Sequence, residues 1–244
     1  MAQVVTYTIM GAEHEAERGT SLLAELRRHG YEVPSLCFNE NLSPYGACRL
    51  CLVEVKKGRR QKLTTSCNYP VQDGIEVFLD TERVQRNRRM VLELLLAQAP
   101  KAPRELRALA DRYGVTDIRF PLNGDEECIL CGLCSRTCRE LVGVNALTFS
   151  GRGDRKHMGT PYAEGSEVCI LCGACVHVCP VSCIDLSESG GNRRIRRWDR
   201  ELPMLVDEFG VPTMTTAQAE YMARRTGMPV ETFGTLPAQR RSEK

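Results

Sequence analysis

Thirteen cysteines dominate the chemistry that this 244-residue chain can perform. Eight of them form two runs with the spacing C-x2-C-x2-C-x3-C, namely Cys128, Cys131, Cys134 and Cys138, then Cys169, Cys172, Cys175 and Cys179. In such a run one short loop wraps a cubane cluster with three thiolates, and the fourth cysteine ligates the cluster of the other run. The spacing therefore predicts two [4Fe–4S] clusters.

The crossed pattern gives each predicted [4Fe–4S] cluster four ligands. One set is Cys128, Cys131, Cys134 and Cys179, and the other is Cys169, Cys172, Cys175 and Cys138. Four thiolates would also satisfy a structural zinc ion. Zinc sites usually pair two separated C-x2-C knuckles, whereas three cysteines are packed into each of these loops, so the spacing favours iron–sulfur clusters.

The two runs are copies of one sequence. CILCGLC at residues 128–134 recurs as CILCGAC at residues 169–175. Two copies of one supersecondary unit predict two copies of one site. Gly132 and Gly173 occupy equivalent positions, where the absence of a side chain lets backbone N–H groups come close to sulfur.

Four further cysteines have the spacing C-x10-C-x2-C-x15-C, namely Cys37, Cys48, Cys51 and Cys67. Plant-type [2Fe–2S] ferredoxins use C-x4-C-x2-C with a distant fourth ligand, and the first gap is longer here. A loop containing Gly46 and Ala47 would wrap the iron, and the fourth thiolate would come from a neighbouring strand. The alternative of four unrelated buried cysteines is less favoured, because the four fall at the ligand positions of the fold predicted below.

Two residues near the second run have more than one interpretation. Cys183 is the thirteenth cysteine and follows the Cys179–Pro180 turn. A small buried apolar residue is favoured there over a substitute ligand or a redox thiol. His177 lies between Cys175 and Cys179 and could tune a potential through an N–H···S bond, but an exposed loop histidine is favoured.

The N-terminal third of the chain has the pattern of a small mixed sheet that would position the [2Fe–2S] ligands. β-Forming residues and turn residues predict, in chain order, strands at residues 3–10 and 13–18, a helix at 21–29, a hairpin at 52–57 and 61–67, and a strand at 75–79. This order, with a cysteine loop between the helix and the hairpin, is that of a β-grasp ferredoxin.

The whole chain is predicted to be an α+β protein with four parts. In chain order these are a β-grasp [2Fe–2S] ferredoxin domain (residues 1–79), a helical connector (80–117), a bacterial-type two-[4Fe–4S] ferredoxin domain (118–188) and a basic C-terminal tail that is a candidate docking element (189–244). The connector is predicted to hold helices at about residues 81–99 and 103–114, with Pro100 after the first and Pro103 at the start of the second.

The predicted tail carries a dense run of five arginines, Arg193, Arg194, Arg196, Arg197 and Arg200. A solvated segment is slightly favoured over a docking strip for an acidic partner subunit. Trp198 is the only aromatic residue among these arginines, so nucleic acid is not an expected partner. A short surface helix is predicted at residues 214–226.

Composition places the chain among ordinary globular proteins, with 42% hydrophobic and 26% charged residues. No apolar run is long enough to span a bilayer, and the N-terminal MAQVVTYTIM lacks the basic flank and apolar core of a signal peptide. We therefore expect the protein to be made and kept in the cytoplasm, where thiols stay reduced and can bind metal.

Segments around the cysteines resemble a known family. Residues 34–37 (PSLC) and 46–55 (GACRLCLVEV) resemble the N-terminal ferredoxin part of the large iron–sulfur subunit of respiratory NADH dehydrogenase, a module that also occurs in NAD-linked formate dehydrogenases and multimeric hydrogenases. Residues 134–144 (CSRTCRELVGV) and 151–153 (GRG) are similar to the two-cluster domain of that family. The resemblance covers roughly residues 1–188, and its motifs are specific in combination.

The chain departs from that family in two ways. The family normally has one histidine and three cysteines for a further [4Fe–4S] cluster after the helix that here ends near Ala97. Residues 68–127 contain neither residue type, so that cluster is expected to be absent. The sequence also ends at Lys244, before a molybdopterin or hydrogenase domain would begin, and so a free-standing electron-transfer subunit is expected.

The sequence has no Rossmann glycine fingerprint, no P-loop and no nucleophile–base arrangement, so the chain is not expected to bind NAD(P) or flavin itself. The resemblance implies that it relays single electrons between a flavoprotein subunit that oxidises NAD(P)H and a catalytic subunit, which would be a hydrogenase, a formate dehydrogenase or a related reductase. Two alternatives are a soluble multi-cluster ferredoxin that serves several enzymes and a zinc-stapled scaffold without a redox role.

Overall fold

The computed structural model describes residues 3–101 and 104–234. The chain divides into two compact units, Met1–Leu133 and Cys134–Lys244. Within the described ranges no helix has the length and apolar character needed to cross a membrane.

The first unit is built on a five-stranded sheet with the order β2-β1-β5-β3-β4. Its strands are β1 (Val4–Ile9), β2 (Ala12–Glu17), β3 (Leu52–Lys57), β4 (Arg60–Thr65) and β5 (Glu76–Phe78). β1 and β5 run parallel, and every other neighbouring pair is antiparallel. Val77 lies at the centre, in register with Ile9 on one side and Val55 on the other. The strands and α1 occur along the chain in the predicted order. Cys67 lies just beyond β4 in a 3-10 turn, Ser66–Asn68.

Helix α1 (Leu22–Arg28) covers one face of this sheet. Leu22, Leu23 and Leu26 are fully buried, because i, i+1 and i+4 positions share one side of a short helix. They pack with alternate residues of β1 such as Tyr7 and Ile9, which point to the same face because side chains alternate along a strand. This apolar core fixes the two ends of the cysteine loop that joins α1 to β3.

The connector consists of α2 (Glu82–Gln98) and α3 (Arg104–Arg112). Thr81 caps α2 by accepting a hydrogen bond from the Val84 N–H. Arg88 of α2 is buried, and its guanidinium donates to the Leu52 carbonyl at 2.7 Å. The connector therefore packs on the sheet of the first unit. Pro103, which we expected at the start of α3, lies outside the described residues.

The part of the second unit that ends at residue 234 contains two sheets and several short helices. A four-stranded antiparallel sheet has the order β11-β10-β9-β8, and a two-stranded sheet pairs β6 with β7. The strands are β6 (Thr148–Ser150), β7 (His157–Gly159), β8 (Ser187–Ser189), β9 (Asn192–Ile195), β10 (Arg200–Val206) and β11 (Pro212–Thr215). The helices from the unit boundary onward are α4 (Leu133–Arg136), which continues into a π-helical segment (Thr137–Val142), α5 (Ala174–His177), α6 (Thr216–Thr226) and α7 (Val230–Gly234).

The basic segment differs from the solvated tail favoured from the sequence. Residues 187–215 form the strands of the four-stranded sheet, and Arg193 and Trp198 are buried within this unit, with 6% and 1% exposed. Alternate residues of β9 point inward, so Arg193 and Ile195 are buried while Arg194 is exposed. The helix expected at residues 214–226 begins at Thr216, because Thr215 caps it.

Candidate iron–sulfur centres

The four cysteines predicted to bind a [2Fe–2S] cluster lie in the core of the first unit. None is more than 2% exposed, and the four are Cys37, Cys48, Cys51 and Cys67. Two backbone amides donate to their sulfurs, from Leu36 to Cys48 Sγ at 3.3 Å and from Cys48 to Cys37 Sγ at 3.4 Å. Gly46 and Arg49 adopt positive φ angles of 72° and 59°, so the chain folds tightly around the site.

The sulfurs of this site fall into two hydrogen-bonded pairs. A bond from the Cys67 thiol lowers the pKa of Cys51 to about 7, and the same bond raises the pKa of Cys67. In the other pair, the hydrogen bond between Cys48 and Cys37, together with burial of the Cys48 thiol, raises the pKa of Cys48. Two pairs of close thiols fit a cluster of two irons, since each iron is held by two thiolates.

The second [4Fe–4S] ligand set comes together inside the second unit. One cavity is lined by four of its cysteines, Cys138, Cys169, Cys172 and Cys175. Cys138 belongs to the first run in the sequence and reaches this cavity from the π-helical segment. Its Sγ accepts a hydrogen bond from the Ala146 N–H at 3.2 Å. Leu171, Ile195 and Trp198 supply apolar walls.

The cysteine loops repeat in conformation as well as in sequence. Leu130 and Leu171 have φ angles of 54° and 48°, and Gly132 and Gly173 have φ angles of 72° and 80°. A left-handed leucine costs about 1–2 kcal/mol, and such strain persists where the surroundings fix it, often at functional sites. The left-handed conformation turns backbone N–H groups toward sulfur. The Leu130 N–H, for example, donates a hydrogen bond to Cys128 Sγ at 3.4 Å.

The four cysteines predicted to bind the first [4Fe–4S] cluster are described within their own units. Cys128 and Cys131 belong to the first unit and are buried, whereas Cys134 and Cys179 belong to the second, where Cys134 is buried and Cys179 half-buried. The assignment of these four residues to one cluster remains a prediction.

Cys183 and His177 have the surroundings favoured from the sequence. Cys183 is buried, with 7% exposed, and His177 is exposed. The Cys183 Sγ lies 3.6 Å from the Cys179 Sγ, and the hydrogen bond between the two thiols lowers the pKa of Cys179 to about 6.

Among the residues described, no three or more His, Cys, Asp or Glu side chains are arranged to hold a single metal ion.

Sequence reasoning missed two residues beside the second ligand set. The indole Nε1 of Trp198 donates to Cys175 Sγ at 3.3 Å, and the Arg193 guanidinium donates to the Leu171 carbonyl at 3.1 Å. Burial raises the pKa of the Cys175 thiol to about 12, and the Trp198 N–H opposes that shift. The signal in the sequence was a single tryptophan inside a basic segment.

Comparison with known domains agrees with both kinds of cluster. Residues 2–82 match a 2Fe-2S iron-sulfur cluster binding domain, and residues 127–183 match a 4Fe-4S dicluster domain. The chain is therefore an iron–sulfur electron-transfer protein with one [2Fe–2S] and two [4Fe–4S] clusters, which confirms the predicted cofactors and fold class. The zinc alternative is wrong.

The chain is homologous to subunits of NADH dehydrogenase and hydrogenase complexes, as the resemblance predicted. It is 32% identical over 174 residues to the alpha subunit of an NADPH-Fe(3+) oxidoreductase of Geobacter sulfurreducens, covering 62% of this chain and 20% of the relative. It is 29% identical over 228 residues to the mitochondrial NADH-ubiquinone oxidoreductase 78 kDa subunit of Candida albicans, covering 83% and 31%. The chain thus spans between a fifth and a third of the length of these relatives.

A solved structure has a similar fold. A chain of an NAD+-reducing [NiFe]-hydrogenase in the H2-reduced state aligns with a TM-score of 0.63 and 27% sequence identity. The alignment covers 73% of this chain and 85% of that chain.

Proposed function

We propose that this chain relays single electrons between a flavoprotein subunit that oxidises NAD(P)H and a catalytic subunit, which is a hydrogenase, a formate dehydrogenase or a related reductase. The observation that carries the proposal is the combination of a 2Fe-2S domain and a 4Fe-4S dicluster domain in one chain. Proteins to which the chain is similar include parts of NADPH-, NADH- and NAD+-linked oxidoreductases.

The proposal includes three ligand sets. The [2Fe–2S] cluster is assigned to Cys37, Cys48, Cys51 and Cys67, and the [4Fe–4S] clusters to Cys128, Cys131, Cys134 and Cys179 and to Cys138, Cys169, Cys172 and Cys175. Burial of most of these thiols supports the assignment, as do the backbone N–H groups directed at sulfur. Burial would keep water away from a bound cluster, and the N–H groups would stabilise the negative charge of its thiolate ligands.

The clusters, when bound, each accept and release one electron. The residues of this chain hold the sulfurs in place, keep water out and set the potentials through burial and hydrogen bonds. Hydride donors deliver two electrons together, and a flavin converts this pair into single electrons. A relay chain without a nucleotide site therefore depends on a flavoprotein partner. We further propose a reducing compartment such as the cytoplasm, because thiols stay reduced there and can bind iron.

The test uses the purified protein with its clusters reconstituted to about ten iron atoms per chain. We expect dithionite to reduce it, and excess NADH or NADPH to leave the visible absorption unchanged until the cognate flavoprotein subunit is added. Free flavin without that subunit is the control for nonspecific transfer. Rapid bleaching by NADH in a flavin-free sample would contradict the relay. Equally fast transfer to unrelated ferredoxin-dependent enzymes would instead favour a soluble ferredoxin.

A further inference from the structure

The segment between β9 and β10 brings the only tryptophan of the chain to the second [4Fe–4S] ligand set. Trp198 is 1% exposed, and its Nε1 lies 3.3 Å from Cys175 Sγ. It also lines the cavity shared by four cysteines, Cys138, Cys169, Cys172 and Cys175. The indole N–H can only donate a hydrogen bond, so its positive end is directed at the sulfur.

Hydrogen bonds on both sides of Trp198 tie this segment to the cysteine loop. Before it, the buried Arg193 of β9 donates to the Leu171 carbonyl at 3.1 Å. After it, Arg200 of β10 donates to the Glu167 carbonyl at 3.2 Å. Arg200 also pairs with Ile195 in the ladder between β9 and β10. The indole is therefore held in position by the sheet.

Reduction adds negative charge to a cluster and to the sulfurs that bind it. A hydrogen bond to a more negative acceptor is stronger, and a low local dielectric increases this difference. The Trp198 N–H consequently stabilises the reduced form more than the oxidised form. We propose that Trp198 is a positioning residue that raises the reduction potential of the [4Fe–4S] cluster bound by Cys175, which makes this cluster a better electron acceptor. The inference rests on the proposed ligand set.

The first experiment is a redox titration of Trp198→Phe, monitored by electron paramagnetic resonance. Phenylalanine keeps an aromatic ring in the cavity but has no donor. At a fixed ambient potential we expect the reduced-to-oxidised ratio of one [4Fe–4S] cluster to fall roughly tenfold, which equals about 59 mV for a one-electron couple. The other [4Fe–4S] cluster and the [2Fe–2S] cluster serve as internal references and should not shift.

Ile195→Val is the matched control, because it removes a methylene from the same cavity wall without removing a donor. It should leave all three potentials unchanged. An unshifted Trp198→Phe protein with full iron content would overturn the inference, as would an equal shift in Ile195→Val. Failure of the proposed function looks different, since rapid bleaching by NADH without a flavoprotein would contradict the relay and would leave the difference in potential between Trp198→Phe and the unsubstituted protein unaffected.

A second experiment keeps Trp198 in place and tests its contact with the cluster directly, which matters if Trp198→Phe loses its cluster. Growth on 15N-labelled tryptophan marks only one indole, because the chain has one tryptophan. Hyperfine spectroscopy of the reduced, unsubstituted protein should detect a 15N coupling to a single [4Fe–4S] signal, and that signal should be the one lost in Cys175→Ser. Absence of any 15N coupling to a reduced cluster would overturn the inference.

Discussion

At the residue scale, the positions of the sulfurs depend mainly on short-range backbone contacts. The Leu130 N–H donates to Cys128 Sγ, two residues away, and the Ala146 N–H donates to Cys138 Sγ, eight residues away. Contacts of this range depend on local chain geometry, which the spacing of the cysteines and glycines largely determines. The Trp198 bond to Cys175 spans 23 residues and depends on a sheet, so spacing alone does not predict it.

The crossed ligand assignment gives a prediction for Cys138. Because Cys138 lines one cavity with Cys169, Cys172 and Cys175, we expect Cys138→Ser to abolish or alter the same paramagnetic signal as Cys172→Ser. The [2Fe–2S] signal should stay unchanged in both variants. The measurement is electron paramagnetic resonance of the reduced proteins, together with iron analysis.

Cys183→Ser is the matched control for that experiment. It removes a buried thiol of the same unit that belongs to none of the proposed ligand sets, and we expect it to keep about ten iron atoms and all three signals. Matching defects in Cys138→Ser and Cys131→Ser, with Cys172→Ser distinct, would contradict the crossed assignment. Loss of one cluster in Cys183→Ser would show that this thiol supports a cluster, either as a ligand or through its contact with Cys179.

At the element scale, helix α6 is joined to the second cysteine loop through its cap. Thr215 is fully buried, and its Oγ1 accepts from the Gln218 N–H at 3.1 Å and donates to the Ile170 carbonyl at 2.6 Å. One hydroxyl thus starts the helix and satisfies a carbonyl next to Cys169. Loss of a threonine cap costs about 1 kcal/mol, and a buried carbonyl left without a donor costs about 1–3 kcal/mol.

We therefore expect Thr215→Val, which keeps the shape of the side chain, to lose about 1–3 kcal/mol of stability and to release iron faster to a chelator. Thr215→Ser keeps the hydroxyl and should behave much more like the unsubstituted protein. Thermal unfolding and the time course of iron release measure the two effects. An equal or larger loss in Thr215→Ser would contradict this expectation, because that variant keeps the hydroxyl that makes both hydrogen bonds.

The elements of the first unit were predictable because each has a local signal. Residues 4–9 and 52–57 are rich in β-formers, and Gly30 marks the end of α1 with a φ of 78°. The sheet of β8 to β11 has no such signal, since its first strands are three to four residues of serine, glutamate, asparagine and arginine with a single isoleucine. Arg193 is buried there because Glu188 pairs with it at 2.9 Å, and sequence patterns do not reveal such pairing.

At the scale of the whole molecule, we expect folding of the two units to depend differently on the clusters. The first unit has an apolar core with fully buried residues on the sheet and on α1, including Ile9, Leu23 and Val77. In the second unit many buried apolar residues line the cysteine cavity or flank the cysteines, as Ile170, Leu171 and Ile195 do. Where a small core is arranged around a metal site, metal binding contributes directly to folding.

Removal of the clusters by an anaerobic chelator should therefore affect the second unit most. We expect hydrogen exchange to remain slow in β1 and β3 and to become fast in β9 and β10. Emission of Trp198 should also move to the wavelength of a solvent-exposed indole, because the cavity that buries this side chain is formed with the cysteine loops. Since it is the only tryptophan, the emission reports on this unit alone. Slow exchange throughout the cluster-free protein would contradict this expectation and would mean that the sheet of β8 to β11 supports the cysteine loops without iron. Equally fast exchange in both units would mean that the first unit also needs its cluster to fold.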